Sequence, residues 1–154
     1  MPVKYYPEDD ANGTLGVLLP MNGRSDRASD GFFAMSRTTE EQAISNYINL
    51  LLTKRGERYM QPEFGIGIQF YLFEQNVDSL RLELESEIYR QAGFWLPYIV
   101  NHDIDVRPKA DVPGLNGDPE NALQIVITFS VTESGANKTI AFFQKGGRIS
   151  YSIT

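Results

Sequence analysis

Thr53-Lys-Arg-Gly-Glu-Arg-Tyr-Met-Gln-Pro-Glu-Phe-Gly-Ile-Gly-Ile-Gln-Phe-Tyr-Leu-Phe-Glu74 separates two helical patterns and belongs to neither. Gly56 is placed to stop a preceding helix as its left-handed C′ residue. Pro62 cannot continue a helix, and Gly65 opens backbone angles closed to other residues. Phe64, Phe70, Tyr71, Leu72 and Phe73 supply apolar surface that can pin such a loop to a core. The stretch therefore reads as a shaped connection, with Lys54, Arg55, Glu57, Arg58 and Glu63 forming a small charged patch on it.

Upstream, Thr38 followed by Glu41 fits a capping box, in which each side chain satisfies an orphan backbone N–H. Ile44, Tyr47, Ile48, Leu51 and Leu52 follow at helical spacing, so a first helix runs from near Thr38 toward Gly56. Downstream, Asn76 or Asp78 caps a second helix. Leu80, Leu84, Ile88 and Ala92 (or Gln91 beside it) recur every four residues, and Glu87 lies within pairing range of Arg90 or Gln91. Gly93 and Pro97 end this element, leaving Phe94 and Trp95 just beyond it.

The rest of the chain reads as strands. Val100–Arg107 alternates weakly, with Val100, Ile104 and Val106 to one side. In 122–132, Leu123, Ile125, Ile127, Phe129 and Val131 face one way. A turn at 133–137 leads to Lys138–Gln144, with Ile140 and Phe142 inward, which makes a hairpin. After Gly146-Gly147, Ile149, Tyr151 and Ile153 alternate again as a tail or fourth strand. Residues 108–121 hold three prolines and two glycines and form a loop. The expected class is α+β: two helices packed on a small antiparallel sheet of three to four strands. Residues 1–35 form an extended N-terminal arm with one apolar island at Leu15–Leu19, 36–145 the core domain, and 146–154 the tail or extra strand.

Composition narrows the function. The chain of 154 residues carries a net charge of -6, which disfavours a nucleic-acid binder. It has no cysteine, which excludes disulfides and thiolate sites, and a single histidine, His102. His102, Asp103 and Asp105 alternate on a strand and do not converge as metal ligands. No apolar run approaches the roughly 20 residues of a membrane span, and the N-terminus lacks the apolar core of a signal peptide. The expectation is synthesis in a cytoplasm, with no cofactor, no metal, and no nucleic-acid or membrane partner.

Leu52-Thr-Lys-Arg-Gly-Glu-Arg58, Pro62-Glu-Phe-Gly65 and Leu72-Phe-Glu74, in this order between two helices, resemble the signature of the baseplate wedge protein family of contractile-tailed bacteriophages. That family includes the small baseplate subunit of type VI secretion systems. The resemblance covers about residues 36 to 144. It implies a virion tail baseplate protein that meets other wedge and hub proteins near the tail tube and nucleates the sheath. Sheath arms would then pair with a sheet edge, at Lys138, Ile140 and Phe142 or at the tail with Ile149 and Tyr151. The family's Glu-Pro-Arg triplet after the second helix is Leu96-Pro97-Tyr98 here. Both charges are lost, and any contact that survives should be apolar and aromatic, drawing on Phe94 and Trp95. Two alternatives stay open. One is a subunit of a bacterial contractile injection or secretion machine. The other is a lysozyme-like glycoside hydrolase with Glu57, Glu63 or Glu74 as its carboxyls.

Overall fold

The computed structural model describes residues 13–19, 33–72, 78–108, 123–132, 135–145 and 148–154. Phe73, Glu74 and Asn76, most of the N-terminal arm and most of the proline-rich loop lie outside them. The chain divides into two compact units, Met1–Asn49 and Leu50–Thr154.

In the first unit part of the apolar island forms a strand. It pairs within the unit as β1 (Gly16–Val17), antiparallel to β2 (Met35–Ser36). The pair is extended by the N–H groups of Leu15 and Leu18, which donate to the carbonyls of Ser36 and Ala34 at 2.9 Å each. A Cβ at Gly16 would lie 2.3 Å from Oε1 of Gln42, so a larger residue there would displace the Gln42 amide. Helix α1 (Thr39–Leu52) starts in this unit and ends in the next. Its entry is the expected capping box: the Glu41 N–H donates to Oγ1 of Thr38 at 3.1 Å. The Glu41 carboxylate reaches one residue further back than the motif requires, accepting from the Arg37 N–H at 2.9 Å. Ala43, Tyr47, Ile48, Leu50 and Leu51 are buried, whereas Ile44 and Leu52 are only half-buried.

The second unit holds α2 (Ile68–Tyr71), α3 (Asp78–Trp95) and a four-stranded antiparallel sheet. The strands are β3 (Ile99–Pro108), β4 (Leu123–Val131), β5 (Asn137–Lys145) and β6 (Arg148–Ile153), ordered as in the sequence. Helix α3 lies against β3 and buries Leu84, Ile88, Gln91 and Ala92. Its end differs from expectation. Gly93 does not stop it, and Phe94 and Trp95 form its last residues. Gly93 has an ordinary helical backbone, so nothing in its conformation ends the helix. Termination falls to Pro97, with the Leu96 N–H still bonded to the Ala92 carbonyl at 2.8 Å.

Ile125, Ile127, Phe129 and Val131 of β4 and Ile140 and Phe142 of β5 are buried on one sheet face. On β3 the expected set changes. Ile99, Ile104 and Val106 are buried, and Val100 is exposed. A register shift between Asn101 and Asp103 places His102 as an extra residue, which switches the alternation between Ile99 and Ile104.

β6 realises the expected fourth strand, and it changes which strand forms the edge. β5 is paired on both sides, to β4 and to β6. Lys138, Ile140 and Phe142 are therefore on an inner strand and are not the available edge. Thr139 and Thr154 exchange both backbone hydrogen bonds, at 2.8 and 2.9 Å. The antiparallel alternation then turns the N–H groups of Ser150 and Ser152 toward β5 and those of Ile149, Tyr151 and Ile153 away from it.

Candidate functional site

The loop between α1 and α2 is built from the end of the helix outward. Gly56 has φ 80°, as a left-handed residue should, but it does not cap α1. It lies four residues past Leu52, and its N–H donates to the Pro62 carbonyl at 2.8 Å, closing the loop on itself. The helix end is instead satisfied by Ile66, whose N–H donates to the Leu50 carbonyl at 3.1 Å. Gly65 brings the chain back to that point. Its φ is 110°, and a Cβ there would lie 2.3 Å from the Thr53 carbonyl oxygen. Gly65 is thus a close-approach glycine, and Phe64 beside it is buried.

The expected charged patch is present, but most of its charge is spent inside the unit. Glu57 accepts from the Lys54 backbone N–H at 2.9 Å. The Lys54 ammonium stands 4.5 Å from the centre of the Phe70 ring. The Arg58 guanidinium stacks 3.7 Å over Phe64 and donates to Oε1 of Gln61 at 3.3 Å. Arg55 lies between two carboxylates, 3.4 Å from Glu63 and 3.6 Å from Glu87.

Glu87, within pairing range of Arg90 or Gln91 by its spacing, also joins this loop to α3. Arg90 grips it with two hydrogen bonds of 2.9 and 2.7 Å, and Gln91 adds a third at 3.1 Å. Partial burial pushes the Glu87 carboxyl up. The hydrogen bonds from Arg90 and Gln91, with the charges of Arg55 and Arg90, outweigh this and hold it below its ordinary value. The same Glu87 hydrogen bond raises Arg90. Gln91 is buried, and its amide also donates to the Glu63 carbonyl at 3.0 Å, tying the far side of the loop to the helix.

The aromatic residues at the end of α3 continue the assembly. Trp95 meets Phe64 edge-on at 5.4 Å and Phe94 at 5.0 Å. An uninterrupted run of contacts therefore links Arg58, Phe64, Trp95 and Phe94, and Phe94 is exposed. Of the triplet Leu96-Pro97-Tyr98, Leu96 is buried and Pro97 exposed, and the Tyr98 carbonyl accepts from both N–H and Oγ1 of Thr132. Tyr59 and Met60 were not singled out from sequence. They stand at the loop tip 95% and 86% exposed. The available signal was two large apolar residues between turn formers, outside any helical or strand period.

Among the described residues, no group of three or more acidic or histidine side chains is placed to hold a metal, and no helix is long and apolar enough to cross a membrane. His102 is exposed, and its Nε2 lies 2.7 Å from Oγ of Ser130. Glu74, one of the nominated carboxyls, lies outside the described residues.

Two solved structures resemble the chain in fold. One is a protein from Geobacter sulfurreducens described only provisionally as a tail lysozyme. It is 25% identical, with a TM-score of 0.54, over 72% of this chain and 96% of its own. The other is the baseplate of the anti-feeding prophage, seen by electron cryomicroscopy. It is 19% identical, with a TM-score of 0.58, over 78% of this chain and 86% of its own, and supports the fold alone. Comparison with curated proteins gives no match. The model of the family "Baseplate wedge protein gp25" matches residues 38–136, well over half of the chain and inclusive of the whole α1–α2 loop, α3 and the β3–β4 ladder. The chain belongs to the gp25 family of baseplate wedge proteins.

Proposed function

We propose that this structural baseplate protein starts the tail sheath by offering the outer edge of β6 to an extended arm of a sheath subunit. The observation that carries the reading is the direction of the β6 backbone. Ile149, Tyr151 and Ile153 turn their N–H and C=O groups away from β5, leaving a row of donors and acceptors for one more strand. The opposite edge is less suited to pairing. β3 carries the His102 bulge, exposed Asp103 and terminal Pro108, which are devices that discourage strand addition. Ile104, Ile127, Ile140 and Ile153 occupy one register row across the sheet, and Ile153 alone of the four is substantially exposed. An arm with an apolar residue opposite Ile153 would complete that row.

A structural role fits the loop carboxylates better than hydrolysis does. Glu57 accepts from the Lys54 backbone N–H and Glu63 pairs with Arg55, contacts that hold the loop together. The same edge would serve a phage tail or a bacterial injection machine.

Ile153→Pro tests the reading, because it removes an outward N–H and leaves the β5 ladder intact. Tails carrying it should show bare tubes or short sheaths by electron microscopy, with the purified variant retaining its circular dichroism. Sheaths of normal length would refute the role of the edge. Ser152→Pro is the contrasting variant, since its lost N–H points toward β5, and it should loosen the fold itself. Ile140→Pro is unsuitable for the same reason, as its N–H turns to β4.

A further inference from the structure

From the α1–α2 loop we infer a second docking element, resting on the baseplate reading but separate from the β6 edge: Tyr59 and Met60 form a knob that inserts into an apolar socket, rimmed by carboxylates, on a neighbouring baseplate protein. Large apolar residues exposed this fully are unfavourable in water unless something covers them, and two in succession at a rigid tip form a natural anchor.

The rigidity is visible bond by bond. Gly56 N–H to Pro62, Gln61 N–H to Arg58 and Phe64 N–H to Gln61, at 2.8, 3.2 and 3.0 Å, close the loop from inside. Arg58 on Phe64 ties the tip to the buried end of the loop, and Gln91 on Glu63 fastens the loop to α3. A tip held this way loses little conformational freedom on binding, so the contact gains affinity from preorganisation. Tyrosine and methionine suit the role, one presenting a broad ring with a polar end and the other an adaptable thioether.

The rim chemistry follows from charge. Residues 53–63 carry Lys54, Arg55 and Arg58 against Glu57 and Glu63, a net of +1 on a chain of net -6. Among the described residues, the Lys54 and Arg58 side-chain cations face aromatic rings and have no carboxylate in ion-pair reach. They flank the tip, and the rings hold them in place without neutralising their charge, which acidic groups around a socket would complement.

The test uses particles assembled in cells that carry the complete tail gene cluster, with this chain replaced by variants. Tyr59→Ala/Met60→Ala should keep its circular dichroism and melting midpoint, yet its amount in purified particles should fall about tenfold or more, the scale of a lost anchor pair. Lys54→Glu should lower incorporation in the same direction. A benzoylphenylalanine photocrosslinker at position 60 should join this chain to one other baseplate polypeptide, and the same group at the exposed Leu82 of α3 should not. Wild-type incorporation of the double variant, or equal crosslinking from both positions, would overturn the proposal. Absence of the unaltered chain from particles would instead overturn the baseplate reading. Ile153→Pro should be incorporated normally, which separates failure at the knob from failure at the sheath edge.

Discussion

Gly65 and Gly93 sit beside Phe64 and Phe94, and alanine at the two positions should move stability in opposite directions. At Gly65 the backbone is left-handed, and a Cβ would strike the Thr53 carbonyl oxygen. Gly65→Ala should destabilise the chain by about 1–3 kcal/mol from backbone strain alone, more if the loop is driven off the end of α1. At Gly93 the backbone is helical and a Cβ would meet nothing within 4 Å. Gly93→Ala should stabilise by about 0.5–1 kcal/mol, the ordinary difference in a helix interior. Urea melts of the two variants check both signs. Glu87 makes a pH prediction. Its folded carboxyl is held below its ordinary value, so its contribution is present above the unfolded value near 4.5 and is lost as pH falls through the folded one. The wild type should therefore lose stability faster than Glu87→Gln as pH falls below about 4.5, measured as the pH dependence of the melting midpoint. Residue identities gave away Gly56 and Gly65 as special positions and Phe64 as buried. They did not give the partners. Nothing in the spacing of Gly56 and Pro62 says that one N–H meets the other's carbonyl, and no helical spacing pairs Glu87 with Arg55, 32 positions away in the chain.

The elements were readable wherever a period was long. The start of α1 at Thr38 and the alternation of β4 survive as expected because caps and repeated burial act locally. Thr38→Ala should cost about 1 kcal/mol, since the Glu41 N–H loses its acceptor. A thermal melt followed at 222 nm should show the loss in the helical signal. Elements set by tertiary contacts were not readable. α2 is a single turn, Ile68–Tyr71, with Gly67 at φ 69° before it, too short to show a helical period. The His102 bulge moves burial from Val100 to Ile99 through a pairing with β4 that the sequence of β3 does not encode. The candidate site was half visible for the same reason. The charged patch was recognised by type, but its cations are held against Phe64, Phe70 and Glu87, and the exposed tip is apolar.

For the molecule as a whole, the position of the sheet edge governs both assembly and solubility. β5 carries Ile140 and Phe142, both fully buried, and β6 is what keeps its outer backbone groups paired. A chain truncated after Lys145 would expose Thr139, Ala141 and Phe143 as unpaired backbone on a strand rich in β-branched and aromatic residues, the pattern that templates association between chains. Such a truncation should retain the α3 helical signal yet form oligomers whose size grows with concentration, as seen by light scattering, whereas Ile153→Pro should stay monodisperse at the same concentration. The contrast isolates the two functions of β6. Its inner side protects β5 within the fold, and its outer side is the surface proposed for the sheath. A monodisperse truncated chain would mean that β5 tolerates an open edge, and β6 would then serve assembly alone.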